Sequence, residues 1–215
     1  MDSCAGGTFL MNSVSNIAAA LDLKRDGTID TTFPLLQFVG TTSVFLGPGS
    51  IQTIPHSMPA EIYDMTEINP QTGAILRAGY GVPNTFPDGS LFSPGNIVER
   101  AGVPSLADSF FDVFFELDIP LPGVGRMVLR NRDTLIVECQ GLTQVPLNGT
   151  CDYNVISQLP LDLYEGGVFR GQLLATPPGV PATSVSPVPE PVSIWLIVGG
   201  LAAVAAFQRR RATCR

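Results

Sequence analysis

The stretch Phe111-Asp112-Val113-Phe114-Phe115-Glu116-Leu117-Asp118-Ile119 decides how this chain is to be folded. Phe111, Val113, Phe115, Leu117 and Ile119 fall on one face, and Asp112, Phe114, Glu116 and Asp118 on the other. Successive side chains of a strand point to opposite faces, so this alternation of large apolar and mostly acidic residues describes a half-buried strand. Pro120-Leu121-Pro122-Gly123 closes it, because proline cannot extend a hydrogen-bonded ladder and glycine favours a turn.

Working outward, residues 126–130 and 134–139 read as two arms of a hairpin around Asn131-Arg132-Asp133, with Leu135, Val137 and Cys139 pointing inward. Weaker strands are expected at 35–39, 42–46, 62–68, 74–80 and 168–174, with Asn69-Pro70-Gln71-Thr72-Gly73 as a turn between the third and fourth of these. In residues 13–23, Val14, Ile17, Ala18 and Leu21 have helical spacing, which predicts one short helix. Seven or eight strands at this spacing predict a mainly β domain, an antiparallel β-sandwich-like body over residues 31–175 that hides one apolar face of each sheet.

Composition supports a loop-rich β protein. Gly (22) and Pro (19) are frequent in the 215 residues, and only 14% are charged; both residue types interrupt helices and mark turns. All nineteen acidic residues lie at or before Glu190, whereas four of the twelve basic ones, Arg209, Arg210, Arg211 and Arg215, lie beyond it. An acidic body repels phosphate, so a nucleic-acid partner is not expected.

The chain changes character near its end. Residues 176–191, TPPGVPATSVSPVPEP, are rich in Pro, Ser and Thr and predict an extended linker that joins neither sheet nor helix. Residues 192–207, VSIWLIVGGLAAVAAF, carry no charge and are followed at once by Gln208 and Arg209-Arg210-Arg211. An uncharged apolar run partitions into lipid, and the arginines hold its end on the cytoplasmic side. One transmembrane helix over 192–207 is therefore expected, about 24 Å long against a hydrocarbon core of roughly 30 Å, with Trp195 and the arginines reaching the interfaces.

Pro189-Glu190-Pro191, a short apolar helix and an arginine cluster, in that order at the chain end, resemble the PEP-CTERM sorting signal. The resemblance covers residues 187–211 within a segment 187–215. It implies export across the inner membrane of a bacterium, recognition of Pro189, Glu190 and Pro191 by an exosortase-type processing enzyme, and removal of the tail. Delivery to the cell surface or an exopolysaccharide matrix would follow. Residues 1–30 form an N-terminal segment that lacks the basic patch and apolar run of a secretory signal peptide; the expectation is a signal upstream of Met1.

Candidate chemistry in the body is sparse. His56 is the one histidine and lies between prolines in IPHSMP, which predicts a loop rather than a catalytic triad. The acids Asp112, Glu116 and Asp118 offer oxygen to a hard cation but read as the solvated face of a strand. Asp26-Gly27-Thr28-Ile29-Asp30 resembles half of a calcium loop and reads as a turn, as does Asn148-Gly149-Thr150. Cys139 and Cys151 flank a segment with turn residues, and an oxidising compartment would join them in a disulfide. Cys214 is expected free, and Cys4 has no evident partner. The reading is a non-catalytic surface protein with no cofactor or metal. Its alternative is an exopolysaccharide-binding module in which an aromatic such as Phe114 stacks on sugar; a secreted hydrolase ranks third.

Overall fold

A computed structural model describes residues 7–47, 57–79, 93–103, 106–121, 123, 125–143 and 150–188. Among them there is no helix. Thirteen strands follow one another: β1 (Gly7–Leu21), β2 (Thr31–Leu46), β3 (Ser57–Ile68), β4 (Ile75–Gly79), β5 (Ser93–Glu99), β6 (Ala107–Val113), β7 (Phe115–Leu121), β8 (Gly125–Asn131), β9 (Leu135–Leu142), β10 (Cys151–Val155), β11 (Leu161–Glu165), β12 (Val168–Leu174) and β13 (Thr183–Pro187).

The protein is mainly β, and every pairing is antiparallel. Hydrogen bonds join the strands into one sheet, in the order β12-β11-β8-β7-β4-β3-β2-β1-β13-β10-β9-β6-β5, with further pairings β12–β1 and β3–β5. Those two pairings close two circuits of eight strands each. Both circuits contain β1, β2 and β3, and β1 and β3 are long enough to serve two sets of neighbours. The first half of β1 pairs with β13 and its second half with β12. Similarly, β3 gives its first half to β5 and its second to β4. The half made of β4, β7, β8, β11 and β12 and the disulfide-bearing half made of β5, β6, β9, β10 and β13 thus share a three-stranded spine.

The residues that read as one strand, 111–119, are two, separated at Phe114. The alternation survives: Phe111, Val113, Phe115, Leu117 and Ile119 are all buried. Only the partners change, since β6 lies between β5 and β9 while β7 lies between β4 and β8. Side chains repair the ladder at the break. Asn131 accepts from the Phe115 amide through Oδ1 at 2.8 Å and donates to the Val113 carbonyl through Nδ2 at 2.9 Å. Ser93 Oγ serves the Phe114 amide and carbonyl at 3.2 and 3.3 Å. Backbone groups taken from a ladder inside a protein need such substitutes.

Three expectations need correction. Residues 126–130 and 134–139 do not form a hairpin: β8 pairs with β7 and β11, and β9 with β6 and β10. The buried Asn131 side chain, also bonded to the Asp133 carbonyl at 3.0 Å, pins the connection where the chain leaves one half for the other. Residues 13–21 are strand rather than helix. They lie in the spine, where Ala18 on the opposite face is buried as well as Ser15, Ile17, Ala19 and Leu21, so burial on both faces mimicked a helical stripe. The sheet accordingly already includes β1, Gly7–Leu21, ahead of residue 31. Finally, the Pro-rich linker contributes β13. Thr183-Ser184-Val185-Ser186 lies between prolines with its amides intact, and it pairs with β1 and β10. The turn at 69–73 is as expected: Asn69 Oδ1 accepts from the Gln71 and Thr72 amides, and Gly73 takes φ 70° between β3 and β4.

Candidate functional site

One inward row runs through eight strands: Cys151, Val185, Ser13, Gly40, Glu67, Leu76, Leu117 and Leu129. Glu67 is the acid in this row and is wholly buried. Gly40 makes room for it, because a β-carbon at position 40 would lie 2.7 Å from Glu67 Cα and collide with the Thr66 carbonyl. Neither carboxylate oxygen of Glu67 makes a hydrogen bond of ordinary geometry, although the Ser13 and Ser15 hydroxyls and the Ser15 amide lie close to it. Burial therefore pushes the Glu67 carboxyl above the usual range, and the neighbouring Ser13 and Ser15 hydroxyls only partly oppose this.

Beside this row lies a cavity of about 80 Å³. Its walls are mainly apolar, with Val44, Phe111, Val113, Val137 and Val185 among them. Ser15, Thr42 and Thr183 are among its polar lining residues. Ser15 Oγ and Thr183 Oγ1 are 2.9 Å apart, and Thr42 Oγ1 donates to Ser13 Oγ at 2.9 Å. Tyr153 also reaches the cavity, but its hydroxyl is bonded to Ser109 Oγ at 3.0 Å, and burial raises its pKa.

Cys139 on β9 and Cys151 on β10 are joined in a disulfide, with Cα atoms 6.2 Å apart and both residues buried. The bond bridges two neighbouring strands across the segment that carries Pro146 and Asn148-Gly149. Those turn residues, and likewise Cys4, His56 and Cys214, lie outside the described residues.

The acidic stripe has a structural use. Glu116 lies opposite Arg77 on β4 and Arg130 on β8, and both guanidinium groups pair with its carboxylate. Arg126 Nε binds Asp118 Oδ1 at 2.6 Å, with Arg77 3.7 Å from the other oxygen. The two acids face outward from β7 yet are buried under these arginines. Asp112 on β6 stands apart and is half-buried. The loop after β1 is likewise closed on itself. Asp22 accepts from the Asp26 and Gly27 amides at 3.0 and 2.8 Å, and Arg170 lies 3.0 Å away. Burial alone would raise the Asp22 pKa, but those amides and Arg170 together hold the carboxyl below the usual range. Asp30 takes the Leu23 and Lys24 amides, and Asp26 the Thr28 amide. The half-loop of acids is a turn whose oxygens already have donors. Among the described residues no group of three His, Cys, Asp or Glu side chains is arranged to hold a metal ion.

Pro189, Glu190 and Pro191, the run 192–207 and Arg209, Arg210 and Arg211 lie outside the described residues. Among the described residues no helix is long and apolar enough to cross a membrane. Phe114, the aromatic considered for sugar stacking, is half-buried at the β6–β7 break. More exposed are Phe45 on β2 and Tyr63 on β3, 40% and 48% accessible. Nothing in the sequence marked Glu67 or the cavity; the one available signal was a glycine, Gly40, inside an otherwise continuous strand pattern. No protein-family model, curated protein or solved structure matches the chain.

Proposed function

We propose that this chain is an exported bacterial surface or extracellular-matrix protein with a structural or interaction role, sorted through its C-terminal tail. In this reading the body faces the periplasm while the helix over 192–207 holds the chain in the inner membrane. A processing enzyme of the exosortase type then acts near Pro189-Glu190-Pro191, and the sandwich-like body passes to the cell surface or beyond. The observation that carries the reading is the buried Cys139–Cys151 disulfide. Such bonds persist in exported compartments and are rare where glutathione and thioredoxin keep thiols reduced. It supports, independently of the tail, the location that the tail resemblance implies.

The test is a tail-cleavage assay in a host with and without the processing enzyme, a secretory signal being supplied upstream. An enzyme-dependent loss of about 3 kDa, the mass of some 28 residues at the chain's mean residue mass, is expected in the secreted fraction. Glu190→Ala should prevent it. Full-length protein in the inner membrane under both conditions would reduce the tail to a plain anchor. A second reading, an exopolysaccharide-binding module, draws on exposed Phe45 and Tyr63 on the outer face of neighbouring spine strands. Polysaccharide pull-down of the wild-type chain against Phe45→Ala and Tyr63→Ala tests it, and equal retention of all three would remove it.

A further inference from the structure

We infer that the outer face at the end of the spine where β1 begins, centred on Leu10, Phe45 and Tyr63, rests on the lipid surface of the membrane while the chain is anchored. The inference depends on the reading of residues 192–207 as a transmembrane helix and adds what the body does beside that anchor. Register brings the three side chains together. Leu10 on β1 lies opposite Ser43 on β2, and Phe45 is two residues beyond Ser43 on the same outward face. On β3, Ile62 and Asp64 lie opposite Val44 and Ser43, so the extra residue Tyr63 stands beside both. All three are exposed, Leu10 the most at 53%. Such cross-strand and diagonal neighbours lie about 5–8 Å apart, which makes them one patch rather than scattered surface residues.

The way the chain leaves the fold says what covers this patch. β13 runs antiparallel to β1 and ends with Pro187 opposite Met11, heading for the end of β1 that carries Leu10. Five residue steps separate Pro187 from Val192, the first residue of the apolar run, a reach of at most about 18 Å. Phe45 pairs with Thr8, three strand residues or about 10 Å beyond the Met11 row in that same direction. Val103, also exposed, follows β5 at this end, where β5 lies beside the first half of β3. Two other exposed apolar residues, Ile29 and Val168, lie at the opposite end: Ile29 follows β1, and Val168 precedes Gly171, the partner of Leu21. From Met11 to Leu21 the strand covers about 33 Å, more than the tether spans. The tether thus holds the patch end closest to the bilayer, and because the contact is intramolecular a small patch suffices. Leucine and phenylalanine enter the boundary between headgroups and acyl chains, and a tyrosine ring keeps its hydroxyl at headgroup level. Glu61, opposite Phe45, and Asp64, opposite Ser43, border the patch, and these acids favour a lipid surface without net charge.

The experiment uses the full chain, methyl-labelled, in phosphatidylcholine nanodiscs with and without a lipid that carries a nitroxide at its headgroup. The nitroxide is expected to quench Trp195, the one tryptophan, and to broaden the Leu10 and Val103 methyl signals about threefold more than those of Ile29 and Val168. Phe45→Glu puts a charge in the patch and should restore most of the Leu10 signal; unchanged Ile29 and Val168 shifts certify that the variant is folded. Quenched Trp195 with Leu10 broadened no more than Ile29 overturns the inference and leaves the anchor reading intact. Unquenched Trp195 overturns both. A sharp Leu10 signal together with lost polysaccharide retention in Phe45→Ala assigns the face to a glycan instead.

Discussion

The two halves that share β1, β2 and β3 are held together by different means. The half containing β4, β7, β8, β11 and β12 has a tightly filled interior in which Leu117, Met127, Leu129 and Leu163 are wholly buried. Its outside carries most of the ion pairs: Glu116 and Asp118 with Arg77, Arg126 and Arg130, then Arg25 with Glu165 and Arg170 with Asp22. The half containing β5, β6, β9, β10 and β13 includes the disulfide, a larger share of the cavity wall than the other half, and one strong surface pair, Arg100 with Asp108. A cross-link tolerates a void, because it acts on the unfolded chain and demands little of the folded interior. The less filled half is thus the one that needs, and has, a covalent tie.

The largest effect expected from breaking this contrast is in the packed half. Leu117→Ala should cost about 3–4 kcal/mol, because its neighbours cannot collapse into the space. Val137→Ala, beside an existing cavity, should cost about half as much. Urea unfolding of both variants measures the difference, and equal losses would mean that the halves are equally well packed.

Next comes the disulfide. Replacing Cys139 and Cys151 together by serine should cost about 3 kcal/mol in the chain-entropy estimate for a loop of this length. The loss should be local. Hydrogen exchange is expected to rise in β9, β10 and β13 before β7 and β8, whereas uniform loss of protection would show one cooperative unit.

The smallest effect, and the one most specific to the spine, concerns pH. The Glu67 carboxyl is raised in the fold, so the native state binds more protons than the unfolded chain between its unfolded and folded pKa values. Its contribution is complete below the unfolded value and is lost as pH rises through the folded one. Asp108, held low chiefly by Arg100, and Glu165, held low chiefly by Arg25, act in the opposite sense: they stabilise above their unfolded values, and that is lost as pH falls. Glu67→Gln should flatten the alkaline limb of the curve of Tm against pH and leave the acid limb in place. An unchanged alkaline limb would show that Glu67 does not set it.

Strand identity was legible wherever alternation was clean. Residues 111–119 announced their inner face, 168–174 gave β12 as read, and Asn69 with Gly73 marked a turn. Each of these depends on neighbours in sequence. The site was not legible, because Glu67 sits after a bulge. Tyr63 is the extra residue of β3 opposite Ser43 and Val44, so Ile62 and Met65 both face inward and the alternation of 62–68 is broken. A lone Glu in such a stretch reads as a solvated side chain, and Gly40 declares its purpose only once β3 is laid against it.

The sequence by itself determined that this is a mainly β chain, which residues of its clearest strands face inward, and that its end is an apolar run closed by arginines. Only the tertiary structure decided that β8 and β9 part company, that 183–187 leaves a Pro-rich segment to join β1 and β10, and that Glu116 and Asp118 are covered by Arg77, Arg126 and Arg130. The reason is physical. The inward or outward sense of a side chain follows from the local two-residue repeat of the backbone. The choice of strand partner depends on groups a hundred or more residues apart, as with Ser15 and Thr183, and no local pattern records it.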